Sequence, residues 1–159
     1  MRSCRLALLA ALVVLSGGGA RSDVLTGPQI RDLFTGNTVT GVYSGGGPFS
    51  EYHAADGRAL GDNGFTLNID ACWNTAGDSV CYHYGPAKDR RTYCFTVERD
   101  GDNLTLRVAD SGRLNAVASL EKGNPGAHGD GKRRWSCDDL LSRGSDGSKN
   151  AAWSNAEPK

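Results

Sequence analysis

Apolar side chains recur at every second position over most of residues 65 to 120, and that period constrains the fold more than anything else in the chain. Phe65, Leu67, Ile69, Ala71 and Trp73 alternate with Thr66, Asn68, Asp70 and Cys72, the pattern of a strand with one buried face. The same alternation returns in Val80, Tyr82, Tyr84, then Tyr93, Phe95, Val97, then Leu104, Leu106, Val108, and finally Leu114, Ala116, Ala118, Leu120. Turn-forming residues fall where each apolar set stops, at Ala76-Gly77, Gly85-Pro86, Asp100-Gly101 and Ser111-Gly112. Two-residue turns at Ala76-Gly77 and Asp100-Gly101 set Trp73 opposite Val80, Ala71 opposite Tyr82, Cys72 opposite Cys81, Val97 opposite Leu104 and Phe95 opposite Leu106. Apolar then meets apolar on one face, an agreement that a one-residue slip destroys. The expected core includes Phe65, Trp73, Tyr82, Phe95 and Leu106, with Asn68, Thr96 and Arg107 on the other face.

Upstream, Val39 to Tyr43, Phe49 to Ala55 and Arg58 to Gly61 read as shorter strands, the last two joined at Asp56-Gly57. Leu25-Thr26-Gly27-Pro28-Gln29-Ile30 is a helix start. Thr26 and Gln29 are spaced as a capping box, Leu25 and Ile30 as a hydrophobic staple, and Pro28 is tolerated in the first turn. Ile30, Leu33 and Phe34 share a face and Gly36 suits the position after the helix, which is expected over residues 27–35. About seven antiparallel strands with one apolar face must curl or pack to hide it. The fold class is therefore mainly β: a small antiparallel barrel, or a strongly curved meander, with one short N-terminal helix.

The chain opens with Arg2 and Arg5, an apolar run from Leu6 to Leu15 and small residues from Gly17 to Ala20, the order of a secretory signal peptide. The run falls short of the ~20 residues that span a bilayer. Residues 1–20 are expected to be removed, Cys4 with them. Residues 21–141 form one expected domain, and residues 142–159, rich in Ser, Gly, Asp, Asn and Lys, a disordered tail. The location expected is periplasmic or secreted, without membrane insertion, and as a monomer. After cleavage 16 basic residues face 18 acidic ones, a balance that does not supply the basic face a nucleic-acid partner wants.

Cys72, Cys81, Cys94 and Cys137 survive cleavage, an even number in an oxidising compartment, which reads as two disulfides. No C-x-x-C spacing suggests zinc, and no cofactor or metal is expected. Cys72 and Cys94 stand two strand spacings apart, too far to bond. Two connectivities remain: Cys81 with Cys94 and Cys72 with Cys137, or Cys72 with Cys81 and Cys94 with Cys137.

The elements LTG, GNTV, DGR and GNP, in this order between Leu25 and Gly126, make the chain resemble a family of small, uncharacterised secreted proteins of alphaproteobacteria. In such proteins the cysteines at the positions of Cys81 and Cys94 are the recurrent pair, so the resemblance implies the first connectivity. It brings no activity with it.

Chemistry must then be sought in the residues. His53, His83 and His128 remain after cleavage, and a small hydrolase using His53 or His83 is the alternative to a binding protein. Ser44 to Pro48 is glycine-rich but lacks the Lys-Ser/Thr of a phosphate loop. Glu51 and Asp56 could be read as a glycosidase acid and nucleophile, but they flank a hairpin turn and are expected to be solvated. The richest feature is aromatic. Tyr43, Tyr52, Tyr82, Tyr84 and Tyr93 are candidates to line a ligand pocket at one barrel end. The leading expectation is a non-enzymatic envelope protein that binds a small ligand at this mouth. A protein partner, such as a hydrolase inhibited by the loop Gly45 to Gly47, is a second version.

Overall fold

The computed structural model describes residues 22–64, 66–86, 88–131 and 134–141. The expected signal peptide, the polar tail and Phe65 lie outside the described residues. Within them the chain runs β1 (Asp23–Val24), α1 (Gly27–Phe34), β2 (Thr38–Tyr43), β3 (Pro48–His53), β4 (Ala59–Asn63), β5 (Thr66–Leu67), β6 (Cys72–Ala76), β7 (Ser79–Tyr84), β8 (Arg91–Asp100), β9 (Asn103–Val108), β10 (Leu114–Glu121) and α2 (Asp138–Leu141).

The strands form one antiparallel sheet in the order β5-β4-β3-β2-β10-β9-β8-β7-β6, with β1 added to β8 where β7 has ended. Two meanders are thus joined through β2 and β10. The sheet curls into a half-barrel whose two ends meet at a seam. There Arg58 bridges Cys72, the Ala59 amide donates to the Ala71 carbonyl at 3.0 Å, and the Trp73 amide donates to the Gly57 carbonyl at 2.7 Å. Curling hides the inner apolar face without a second sheet.

Helix α1 fills one end of the half-barrel. Gln29 Oε1 reaches back to accept from the Thr26 amide at 2.8 Å, and the Gly27 amide donates to Asp78 Oδ1 at 3.0 Å, seating the helix start on the β6–β7 turn. Leu25, Ile30 and Phe34 are buried in the core with Val39, Trp73, Val80, Val97, Leu104 and Ala116.

Both long hairpins keep the expected faces but not the expected partners. Trp73 pairs with Tyr82, and Val97 with Leu106, each two positions from the sequence expectation. The reason is the turn: its central residues are Gly77-Asp78 and Gly101-Asp102, with the glycine first at φ 55° and 60°. A two-residue turn led by a residue at positive φ twists with its strands, and only glycine takes that conformation freely. A shift of two preserves parity, so Trp73, Tyr82 and Leu106 are buried as expected, while Thr96 and Arg107 lie half-buried and paired with each other on the outer face. Phe95 is only partly buried against the core.

The single strand expected from Phe65 to Trp73 does not form. Asp70 takes a left-handed conformation at φ 55°, which breaks the chain into β5 and β6 and inverts the alternation ahead of it. Leu67 and Ile69 are consequently exposed and Asn68 is buried, the reverse of the sequence expectation.

The disulfides are Cys81–Cys94, across the β7–β8 pair, and Cys72–Cys137. The second ties the chain after β10 to the seam. Trp135 Nε1 donates to the Ala71 carbonyl beside it at 2.9 Å.

Candidate functional site

The end of the half-barrel away from α1 is open. It leads into a cavity of about 980 Å³. Along β7 the inward residues run from Val80 near the helix to Tyr82 and Tyr84 at the mouth. Along β3 they run the other way, from Phe49 at the mouth through Glu51 to His53. Tyr43 from β2, Tyr93 and Phe95 from β8, and Leu106 from β9 complete the aromatic and apolar wall, while Leu67 and Ile69 form an exposed apolar lip.

The rings form a connected series from plug to mouth. Phe34 stands 4.8 Å from His53, His53 5.7 Å from Tyr82, Tyr82 6.2 Å from Tyr84, and Tyr84 6.1 Å from Tyr93, while Tyr43 stacks on Phe49 at 4.7 Å. Such offset and tilted contacts are the preferred geometry of aromatic quadrupoles.

At the base of the cavity lies Glu51, 3 % exposed. Its Oε1 accepts from Asn68 Nδ2 at 2.5 Å and from the Tyr84 hydroxyl at 2.8 Å. Burial pushes its carboxyl up to about 7, against the opposing pull of the Tyr84 and Asn68 bonds. Its close approach to β4 depends on Gly61, the residue paired with it. Gly61 sits at φ 142°, and a Cβ there would run into the Ser50 carbonyl. Burial, reinforced by the charge of Glu51, raises the phenols of Tyr43, Tyr82 and Tyr84 well above their ordinary value, so they stay neutral donors.

His53, wholly buried behind Tyr82, shares a 2.8 Å hydrogen bond between Nε2 and the Tyr82 hydroxyl. Burial lowers its pKa to about 3, outweighing the nearby carbonyls of Asn37 and Glu51, and Nδ1 has no hydrogen-bond partner among the described residues. His83 lies on the opposite face of β7, bonded to Thr92 Oγ1 at 2.9 Å and Asn74 Oδ1 at 3.2 Å. Burial, aided by the Arg90 charge, lowers it to about 4. His128 bonds Ser50 Oγ at 2.8 Å on the outside of β3. The three histidines therefore occupy three separate places. Among the described residues no group of three His, Cys, Asp or Glu side chains is arranged to hold a metal ion.

Of the tyrosines singled out from the sequence, Tyr43, Tyr82, Tyr84 and Tyr93 are brought together around the cavity. Tyr52 is not. It alternates with Glu51 and His53 on β3 and takes the outer face, paired with Thr38 and Leu60. Glu51 was expected in solvent and is instead the most buried polar group of the mouth. The signal was present in the sequence, since Glu51 has the parity of Phe49, but a charged residue beside a hairpin reads as exposed. Asp56, its supposed partner, stays exposed on the surface in an ion pair with Arg58 at 2.8 Å.

Comparison with known proteins adds no further constraint: no family model matches the chain, and no curated protein or solved structure matches it.

Proposed function

We propose that this chain is an exported, non-enzymatic binding module that takes a small ligand into the tyrosine-rich mouth of its half-barrel. The observation that carries this reading is the cavity: about 980 Å³, walled by four tyrosines and two phenylalanines, with one buried carboxyl at its base. Ligand sites are mostly apolar concavities with a few convergent polar groups, and barrel mouths are a usual place for them. The separation of His53, His83 and His128 supports binding over hydrolysis, because His53 is sealed behind Tyr82, His83 lies on the opposite face of β7 and His128 on the outside of β3. The export reading is supported by the two disulfides, which persist in oxidising compartments, and by the signal-like N-terminus. No helix among the described residues is long and apolar enough to cross a membrane.

The inhibitor version is less well supported. Gly45 to Gly47 form a tight β2–β3 connection, closed by the Gly46 amide donating to the Tyr43 carbonyl at 2.9 Å and the Tyr43 amide to the Gly47 carbonyl at 3.1 Å. So short a loop projects little into a partner's cleft.

Native mass spectrometry of the full, unreduced chain recovered from a periplasmic extract tests the proposal. A small non-covalent adduct is expected, and it should be lost when Ile69→Trp blocks the lip. A chain that carries no adduct, and that leaves the fluorescence of the neutral probe N-phenyl-1-naphthylamine unchanged, would overturn it.

A further inference from the structure

The carboxyl at the base of the cavity is bonded through one oxygen alone. Glu51 Oε1 takes both protein donors, Asn68 and Tyr84, while Oε2 has no hydrogen-bond partner among the described residues. None of the ion pairs among them includes Glu51. A buried carboxylate is costly unless a cation meets it, and Asn68 and Tyr84 both favour its charged form. The walls suit a cation too. Tyr84 stacks on Tyr82, Tyr93 tilts against Tyr84 and Tyr43 lies on Phe49, so ring faces and a carboxylate surround one space.

Building on the reading of the cavity as a ligand site, we propose that its ligand is a small organic amine whose ammonium group bonds Glu51 Oε2. Its apolar body lies against the tyrosine rings and passes out between Leu67 and Ile69. The lip accounts for the apolar body, since both side chains are more than two-fifths exposed where a soluble chain gains nothing by showing them.

The titratable and charged groups facing the space are Glu51 from β3, Tyr43 from β2, Tyr82 and Tyr84 from β7, and Arg91 and Tyr93 from β8. The phenols with raised values stay neutral. Arg91 is exposed at the rim, where water and salt screen its charge. Glu51 is therefore the group whose ionisation governs the amine. With a carboxyl raised to about 7, the free protein is largely protonated in acid, so binding an ammonium there must release a proton. Affinity should fall about tenfold per pH unit below 7 and level off above it.

Isothermal titration calorimetry of the full, disulfide-intact chain with phenethylamine, 2-phenylethanol and phenylacetate separates charge from shape. At pH 8 the amine should bind at least tenfold more tightly than the alcohol, with the carboxylate weakest. At pH 6 amine binding should weaken about tenfold and release a proton, seen as a dependence of the heat on buffer ionisation. Glu51→Gln should bring the amine and alcohol close to equal affinity. Buffer-dependent heats of the parent test the same point without any variant. Equal affinity for alcohol and amine, or amine binding indifferent to pH between 6 and 8, would overturn the inference. If none of the three binds but N-phenyl-1-naphthylamine does, the amine is refuted and the binding module stands. If that probe fails as well, both fall.

Discussion

The two ends of the half-barrel are built from the same kinds of side chain and organised for different purposes. At the plugged end, Ile30 and Phe34 from α1 seal against Trp73, Val80 and His53, and the buried histidine there is held neutral and bonded to Tyr82. At the open end the rings of Tyr43, Tyr84 and Tyr93 line a cavity, and the buried polar group, Glu51, is left with half its bonding capacity unused. Tyr82 belongs to both ends, with its hydroxyl on His53 and its ring lining the cavity. An interior of one composition thus becomes core where a helix covers it and an open cavity where no described residue does.

The sharpest way to break the comparison is to empty the plug. Phe34→Ala removes a wholly buried ring that touches His53 and should cost about 4 kcal/mol, read from chemical denaturation, while the mouth keeps its affinity for a bound probe. A comparable loss, ~4 kcal/mol, is expected when Cys72 and Cys137 are both replaced by alanine. That disulfide closes a separation of 65 residues and clasps the seam on which the half-barrel depends. Thermal unfolding of the double variant with Cys81–Cys94 intact measures it.

Glu51→Gln should act in the opposite direction. The folded chain holds the Glu51 proton up to about pH 7 against an ordinary 4.5, so its ionisation destabilises the fold progressively as pH rises through that interval. The variant should match the parent near pH 4.5 and exceed it by up to ~3 kcal/mol at pH 8. His53 works the other way. With its folded pKa lowered to about 3 from 6.5, it contributes stability above 6.5 that is lost as pH falls toward 3, and His83 adds to this over about 6.5 to 4. The two histidines together outweigh Glu51, so the stability of the parent should rise with pH toward 7 and then level off, and that of Glu51→Gln should rise more steeply over the same interval. Parallel stability curves for the parent and Glu51→Gln from pH 5 to 8 would contradict the assignment.

Smaller effects sharpen the contrast. Phe95→Ala should cost about 2 kcal/mol, less than a fully buried phenylalanine, because part of its ring faces the cavity. Ile69→Ser, on the exposed lip, should change stability by less than about 0.5 kcal/mol, yet weaken a ligand that has an apolar body.

The plug was the more legible end. Thr26, Gln29, Leu25 and Ile30 announce their helix through local spacing, and the helix forms at Gly27–Phe34 because those interactions close within a few residues. The alternation of Val80, Tyr82 and Tyr84, and of Leu104 with Leu106, also survives folding, since parity persists even where turns at Gly77 and Gly101 move the register by two. The mouth was legible only in part. Tyr43, Tyr82, Tyr84 and Tyr93 share a parity with core residues, and so does Glu51, but its charge argued for solvent. Tyr52 has the wrong parity for the mouth and was counted for its aromatic ring alone.

The sequence by itself thus determined which residues point inward along β7 to β9, where the helix starts, and that four cysteines pair. These follow from local sterics and a period of two. Only the tertiary structure decided that Asp70 breaks a strand and turns Asn68 toward Glu51, that two ends of one sheet meet at Arg58 and Cys72, and that α1 fills one end and leaves the other open. Those outcomes depend on contacts between residues far apart in the chain, which no local pattern encodes.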